Sequence, residues 1–115
     1  QRDILTHVII PKGERRVVYL SQRNTATDFP VLTCALSRRE GRTLCAVGAR
    51  PGRAEHFEDK QGLLAGGITP EGAQAFARET AGRFRFGSNL RGSAQYRQEI
   101  CQVLVRRGLL AMEGE

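Results

Sequence analysis

The sequence predicts an α+β two-layer sandwich, in which an antiparallel sheet of three to four strands is followed by helices packed on one face. Short apolar runs separated by turn residues occupy the first half of the chain. The second half carries helix start signals and apolar residues spaced three and four positions apart. No repeat or linker divides the chain, so residues 1–115 are expected to form a single domain.

The first predicted hairpin joins Ile4–Ile10 to Arg16–Ser21. The first run is rich in β-branched residues, and the second reads Val-Val-Tyr-Leu flanked by polar residues. Pro11 ends the first run because proline lacks the backbone donor that a continuing strand needs, and Gly13 suits the connecting loop.

The second predicted hairpin pairs Val31–Ser37 antiparallel with Thr43–Ala49. The segment between them contains Gly41, which can supply the positive φ that hairpin loops often need. This pairing places Cys34 nearly opposite Cys45. The chain has three cysteines and no C-x-x-C pair, so we expect reduced thiols buried in the core and a reducing compartment.

A helix is predicted from Thr69 to about Phe84. Thr69 is the N-cap, Pro70 takes the first helical position, and Glu71 lies in the first turn. Its apolar side consists of Ala73, Phe76, Ala77 and Phe84. The stretch from Arg53 to Gly67 stays open between a short helix and a fourth extended segment that carries Phe57, Leu63 and Leu64.

A second helix is predicted over Ser93–Ala111. Ser93 can cap it, and apolar residues recur along it at three- and four-residue steps. We expect Ile100, Val103 and Leu104 to lie on the sheet.

The charge of the chain is +6, and 16 of its 18 basic residues are arginine. Arginine suits phosphate recognition, but acidic residues are interspersed and the basic clusters are only pairs. Trp is absent and Tyr occurs twice, so there are few aromatic platforms for nucleic-acid bases. No apolar run approaches the length of a membrane span and no leader is recognised. A soluble protein with dispersed surface arginines is expected.

The sequence contains no self-contained catalytic pattern. His7 and His56 have no second ligand at metal-binding spacing, and we expect a structural histidine at 7 and an exposed one at 56. Glu55, Glu58 and Asp59 are interpreted as a solvated acidic face. Glycine-rich phosphate loops and nucleophilic serine motifs are also absent.

Three segments carry recognisable motifs. Tyr19–Leu36 reads YLSQRNTATDFPVLTCAL, Leu44–Arg53 reads LCAVGARPGR, and Arg91–Arg107 begins RGSAQYR and continues as an apolar helix. In this order they resemble, over essentially the whole chain, the C-terminal domain of molybdenum-hydroxylase flavoproteins, the FAD subunits of the xanthine dehydrogenase and carbon monoxide dehydrogenase type.

The resemblance implies an antiparallel sheet followed by about three helices on one face. It also implies a domain that buttresses the flavin site of a cytoplasmic oxidoreductase while electrons pass from iron–sulfur clusters to FAD. The implied partners are N-terminal FAD-binding domains and iron–sulfur and molybdopterin subunits or domains, with no membrane or nucleic acid. FAD would belong to the full-length subunit, because this chain lacks the pyrophosphate loops.

The resemblance implies a cofactor-facing role for three residues. Asp28 matches the family's aspartate at a strand start, and Arg23 and Asn24 fall near its basic position. Asp28 could equally be a structural residue that accepts a nearby backbone N–H. Many members have lysine just after the aromatic residue, where Leu20 and Ser21 stand here, so this strand offers no basic contact of that kind. At Tyr96 and Arg97 we expect packing rather than ligand contact.

Two other functions remain open on the sequence alone. One is a basic nucleic-acid-binding module, and the other is a free-standing α+β dimerisation domain. The chain by itself is not expected to be catalytic.

Overall fold

The computed structural model describes residues 3–9 and 16–113, which contain one antiparallel sheet and two helices. The sheet has the order β1-β2-β3-β4. Its strands are β1 (Arg16–Arg23), β2 (Pro30–Arg39), β3 (Arg42–Gly48) and β4 (Glu55–Glu58), followed by α1 (Pro70–Arg83) and α2 (Ala94–Glu113). The α+β class is confirmed, with two helices in the described ranges instead of about three. Neither helix is long and apolar enough to cross a membrane.

The β2–β3 hairpin has the predicted antiparallel pairing. Its turn is only two residues long, because Arg39 pairs directly with Arg42. Glu40 and Gly41 have φ of 52° and 79°, the two positive values that a type I′ turn requires. This turn matches the twist of the strands and so fixes the register of the hairpin.

The three cysteines lie in the core as reduced thiols. The register places Cys34 opposite Val47 and Cys45 opposite Leu36, so the two cysteines are diagonal neighbours with 3.8 Å between their sulfur atoms. The hydrogen bond with Cys34, and then burial, hold the pKa of the Cys45 thiol well above its usual range. Burial raises the pKa of Cys101 to about 12.

The stretch between β3 and α1 supplies a fourth strand rather than a helix. Phe57 of β4 stacks on Phe76 of α1 with ring centroids 5.7 Å apart, which joins the sheet edge to the helix layer. The Asp59 carboxylate then accepts hydrogen bonds from the backbone N–H groups of Leu63 and Leu64. These bonds shape the turn that places the Leu64 side chain in the core.

The start and the buried side of α1 agree with the prediction. The Thr69 hydroxyl accepts a hydrogen bond from Gly72 N at 3.0 Å, and Pro70 begins the helix. The helix ends at Arg83 with Phe84 as its C-cap. The predicted apolar side chains are all buried: Ala73, Phe76, Ala77 and Phe84.

α2 packs against β1, β2 and α1 through a face that differs in part from the predicted one. Leu104 is buried and Ile100 packs against the core as predicted. The prediction for Val103 is wrong, because this residue lines a shallow groove beside Gln74 of α1. The buried face of α2 instead contains Arg97, Cys101, Leu104, Val105, Gly108, Leu109 and Met112. This buried face includes Arg97 and Gly108, which are not apolar side chains. The pattern of apolar residues in the sequence therefore did not identify the buried face correctly.

Of the first predicted hairpin, the strand Arg16–Ser21 is confirmed within β1, but the strand predicted at Ile4–Ile10 is wrong in the described residues. Residues 3–9 form no strand, and the large apolar side chains among them are 72% to 88% exposed. Apolar residues occupy both alternating sets of this run, so a strand made from it would need cover on both faces. In the part of the chain that the structure describes, helices cover one face of the sheet that contains β1. His7 is exposed, and Ile10, Pro11 and Gly13 lie outside the described residues.

Gly108 sets the close approach of α2 to the sheet. A Cβ atom at this position would collide with Cδ1 of Leu36 in β2 and would meet Cδ1 of Leu20 in β1 at 3.3 Å. Leu36 belongs to the buried core and Leu20 packs against it, and overpacking at such a contact is destabilising.

We therefore expect Gly108→Val to lower the free energy of unfolding by about 1–3 kcal/mol in denaturant titrations. The matched control is Gly82→Ala in α1, where an added Cβ meets open space. This exposed helical position should gain roughly 0.5–1 kcal/mol from helix propensity alone. Equal stability of Gly108→Val and the parent chain would contradict the proposed close packing.

Candidate functional site

Asp28 lies in the turn that connects β1 to β2, just before β2 begins at Pro30. Its backbone N–H donates to Thr25 O at 3.2 Å, and its Oδ1 accepts from Phe29 N at 2.7 Å. Asp28 therefore has the structural role considered for it, because it accepts a hydrogen bond from a nearby backbone N–H. The same carboxylate has a second partner from the turn before α2.

The structure brings all three predicted site residues together around Arg91. Arg23 Nη1 donates to Asp28 O at 2.7 Å, and Asn24 Nδ2 donates to Arg91 O at 3.2 Å. Arg91 in turn donates to Asp28 Oδ1 through Nε at 3.2 Å and Nη2 at 3.0 Å. We refer to Arg23, Asn24, Asp28 and Arg91 as the Asp28 cluster.

Arg91 is the member of the cluster that the sequence analysis did not identify as a site residue. Its guanidinium carbon lies 5.1 Å from the ring centroid of Phe29, so the cation stacks on an aromatic face as well as pairing with Asp28. The motif around Arg91 was visible, but nothing local connects it with a residue 63 positions away. Only the folded chain brings the two together.

The electrostatics of the cluster keep Asp28 ionised. The hydrogen bond from Arg91 holds the pKa of the Asp28 carboxyl below its usual value of 3.8, and the Phe29 N–H acts in the same direction. The side chains of Asp28 and Arg91 remain 31% and 34% exposed, respectively. The carboxylate is therefore suited to act as a fixed, accessible negative charge and not as a proton donor at neutral pH.

Arg97 lies behind the cluster, and only 1% of this residue is exposed. Its guanidinium makes five hydrogen bonds to neutral oxygen atoms of the chain. The acceptors are Val31 O (2.8 Å), Ala49 O (3.1 Å), Gly87 O (2.8 Å), Gly92 O (2.6 Å) and Asn89 Oδ1 (2.7 Å). The expected packing role of Arg97 is confirmed, but it is a polar one. Burial, and then the nearby Arg91, lower the pKa of Arg97.

The acidic residues near β4 have structural partners. Glu58 forms a bidentate pair with Arg42, and Glu55 pairs with Arg50. Asp59 accepts hydrogen bonds from two backbone N–H groups, so each of the three carboxylates has a structural partner. In residues 3–9 and 16–113, no three potential metal ligands come together. His56 is exposed, as predicted.

A surface cavity of about 580 Å³ lies between β4 and the end of α1. Its lining includes His56, Lys60, Glu79 and Arg83. No member of the Asp28 cluster contributes to it, so the cavity and the cluster are separate features.

Comparison with known proteins identifies both the family and the fold. Residues 18–112 match the family model for the CO dehydrogenase flavoprotein C-terminal domain. The nicotine 6-hydroxylase medium subunit of Paenarthrobacter nicotinovorans is 29% identical over 114 residues, which cover 94% of this chain and 40% of that protein. The chain therefore spans about two-fifths of this relative.

Two solved structures share the fold. Carbon monoxide dehydrogenase from Hydrogenophaga pseudoflava, in a form lacking the Mo-pyranopterin moiety of its cofactor, superposes with a TM-score of 0.71 at 21% identity, covering 85% of this chain and 37% of that one. Quinoline 2-oxidoreductase from Pseudomonas putida 86 gives a TM-score of 0.72 at 17% identity, covering 91% and 39%.

The Asp28–Arg91 pair predicts a defined pH dependence of stability. Because the folded-state pKa of Asp28 is lowered, its contribution is complete above the unfolded value near 3.8 and is lost as the pH falls through the folded value. Asp28→Asn should therefore be less stable than the parent at neutral pH, and the difference should disappear in acid. Denaturant unfolding between neutral pH and acid measures it, with the exposed Glu99→Gln as control. A difference that persists unchanged in acid would contradict the assignment.

Asn89 offers a test of the charge on Arg97. Asn89→Asp keeps the shape of the side chain and gives the buried guanidinium a carboxylate partner, and charged hydrogen bonds are stronger than neutral ones. We expect a gain in the free energy of unfolding on the order of 1 kcal/mol. Because Asn89 is exposed, salt should screen part of this gain. A lower unfolding midpoint in Asn89→Asp would show that Arg97 does not need a counter-ion.

Proposed function

This chain belongs to the CO dehydrogenase flavoprotein C-terminal domain family, and we propose that it forms that domain in a FAD-binding subunit of a molybdenum-hydroxylase-type oxidoreductase. The family match begins within β1 and ends within α2, so it includes nearly all of the described fold. The partners in this proposal are N-terminal FAD-binding domains and iron–sulfur and molybdopterin subunits or domains. The proposed compartment is the cytoplasm.

The proposed role of the domain is to buttress the flavin site, with the Asp28 cluster facing the isoalloxazine end of FAD. The ion pair between Asp28 and Arg91 carries this proposal, because it presents two opposite charges on an accessible surface and fixes them by further hydrogen bonds. Such fixed groups can contact the polar edge of a flavin ring. FAD would supply the redox chemistry when it is bound.

The residues present fit only one end of this cofactor. The cluster offers one carboxylate, guanidinium groups and an amide, which suit a heteroaromatic ring. A pyrophosphate is usually held by several backbone N–H groups of a glycine-rich loop at a helix start, and the sequence has no such motif. The phosphates must therefore be held by another part of the subunit.

The proposed effect of this chain on the flavin is electrostatic. The ionised Asp28 disfavours additional negative charge on a nearby flavin ring, and Arg91 favours it. Their balance would tune the reduction potential of the flavin without a proton transfer. The direction of the effect should differ between the two residues.

In the full-length flavin-containing subunit, we expect Asp28→Ala to raise the flavin potential and Arg91→Ala to lower it. The size should be on the order of 1 kcal/mol, or about 20 mV for the two-electron couple. Potentiometric titration and the flavin absorption spectrum are the measurements.

Glu58→Ala and Arg42→Ala are the matched controls, since they break another arginine–carboxylate pair, which joins β3 to β4 and contains no member of the Asp28 cluster. They should leave the potential unchanged. The chain alone should bind FAD negligibly. Stoichiometric FAD in the purified 115-residue chain would contradict the proposal that another part of the subunit holds the phosphates. An unaltered flavin spectrum, potential and turnover in both Asp28→Ala and Arg91→Ala would overturn the proposed role of the cluster.

A further inference from the structure

We propose that Arg97 is a positioning residue of the Asp28 cluster, which holds the two sides of the Asp28–Arg91 pair in register through a single buried guanidinium. The proposal concerns how the pair is formed, and its consequence for the flavin rests on the proposed function.

On one side, Arg97 holds the turn that carries Arg91. Its Nη1 donates to both Gly87 O and Gly92 O, and its Nη2 donates to Asn89 Oδ1. Backbone hydrogen bonds between Asn89 and Gly92 close the same turn at 3.0 and 3.3 Å. One guanidinium therefore contacts the beginning, the middle and the end of the segment 87–92.

Asn89 transmits this constraint to Arg91. Its Oδ1 accepts from Arg97 Nη2 at 2.7 Å and from the backbone N–H of Arg91 at 2.9 Å. The carbonyl of Arg91 then accepts from Asn24. The backbone of Arg91 is therefore held at both its N–H and its C=O, which leaves the side chain directed toward Asp28.

On the other side, Arg97 holds the beginning of β2. Its Nε donates to Val31 O at 2.8 Å, and Val31 belongs to the same strand start that follows Asp28. The same Nε contacts Ala49 O just after β3, which anchors the guanidinium to the sheet. The relative position of Asp28 and Arg91 is thus set by bonds to one side chain.

These contacts require arginine. A guanidinium presents five N–H donors in a planar fork, whereas a lysine ammonium has three donors on one nitrogen and cannot span the same acceptors. Arg97→Lys keeps the positive charge and most of the length but loses the fork. The substitution therefore separates positioning from charge.

The test measures the pKa of Asp28 by carboxyl ¹³C NMR titration of the 115-residue chain, with the amide spectrum as a check of the native fold. The groups that face Asp28 are Arg91 and Arg23. Arg91→Ala defines the upward shift produced by loss of the pair. We expect Arg97→Lys and, independently, Asn89→Ala to shift the pKa in the same upward direction.

The control is Val105→Ala, which removes buried apolar volume from the same helix away from the turn. It should lower the unfolding midpoint and leave the pKa of Asp28 unchanged. A parental pKa in folded Arg97→Lys and Asn89→Ala would overturn the proposal, as would an equal shift in Val105→Ala. Asn89 also bonds the backbone of Arg91 directly, so Asn89→Ala cannot decide alone. If Arg97→Lys does not fold, Arg97→Gln takes its place, since its planar amide keeps two N–H donors but not the five of the guanidinium. A parental pKa of Asp28 in folded Arg97→Gln would then overturn the proposal.

The flavin arm uses the full-length subunit. Arg97→Lys should lower the flavin potential in the same direction as Arg91→Ala. If both variants shift the pKa of Asp28 but neither changes the flavin potential, Arg97 is confirmed as a positioning residue and the proposed function is wrong. The experiment therefore distinguishes a failure of the positioning role of Arg97 from a failure of the proposed function.

Discussion

The strongest constraint on this fold comes from the buried guanidinium of Arg97, whose hydrogen-bond acceptors within residues 3–9 and 16–113 are all neutral oxygen atoms. Burying a charge is unfavourable unless every donor finds an acceptor, and here the acceptors are four backbone carbonyls and one amide oxygen. They come from the start of β2, the end of β3 and the turn before α2. These segments must converge on Arg97, so this residue organises the end of the domain where β2 and α2 begin. Apolar contacts of α2 with the sheet organise the opposite end.

Much of the fold follows from local signals in the sequence. The two-residue turn at Glu40–Gly41 and the cap at Thr69 depend on neighbouring residues, so turn and capping chemistry was enough to place β2, β3 and α1. The strand predicted at 4–10 failed because β propensity indicates a local preference and not the availability of a surface to cover it. The prediction for Val103 was wrong for a related reason. The spacing of apolar residues does not show that a polar residue, Arg97, lies on the buried face of the helix.

The candidate site was only partly accessible from the sequence. Resemblance to a family indicated Asp28, Arg23 and Asn24, and the structure brings these residues together. The role of Arg91 depends on a contact with a residue far away in the chain, which no local pattern encodes. The resemblance indicated a packing role for Arg97, but it did not reveal the polar nature of that packing, because the contacts with Val31 and Ala49 join residues far apart in the chain.

The long sequence separation within the cluster has a consequence for the order of assembly. The β2–β3 hairpin closes over two residues, but the Asp28–Arg91 pair joins positions 63 apart. Contacts between distant positions carry a larger loop-closure entropy and form once nearer contacts have shortened the chain. We therefore expect the pair to form after α2 has docked and placed Arg97 behind the turn. The charged surface is a late product of folding, and a chain whose strands have paired but whose last helix is undocked would present Asp28 without its partner.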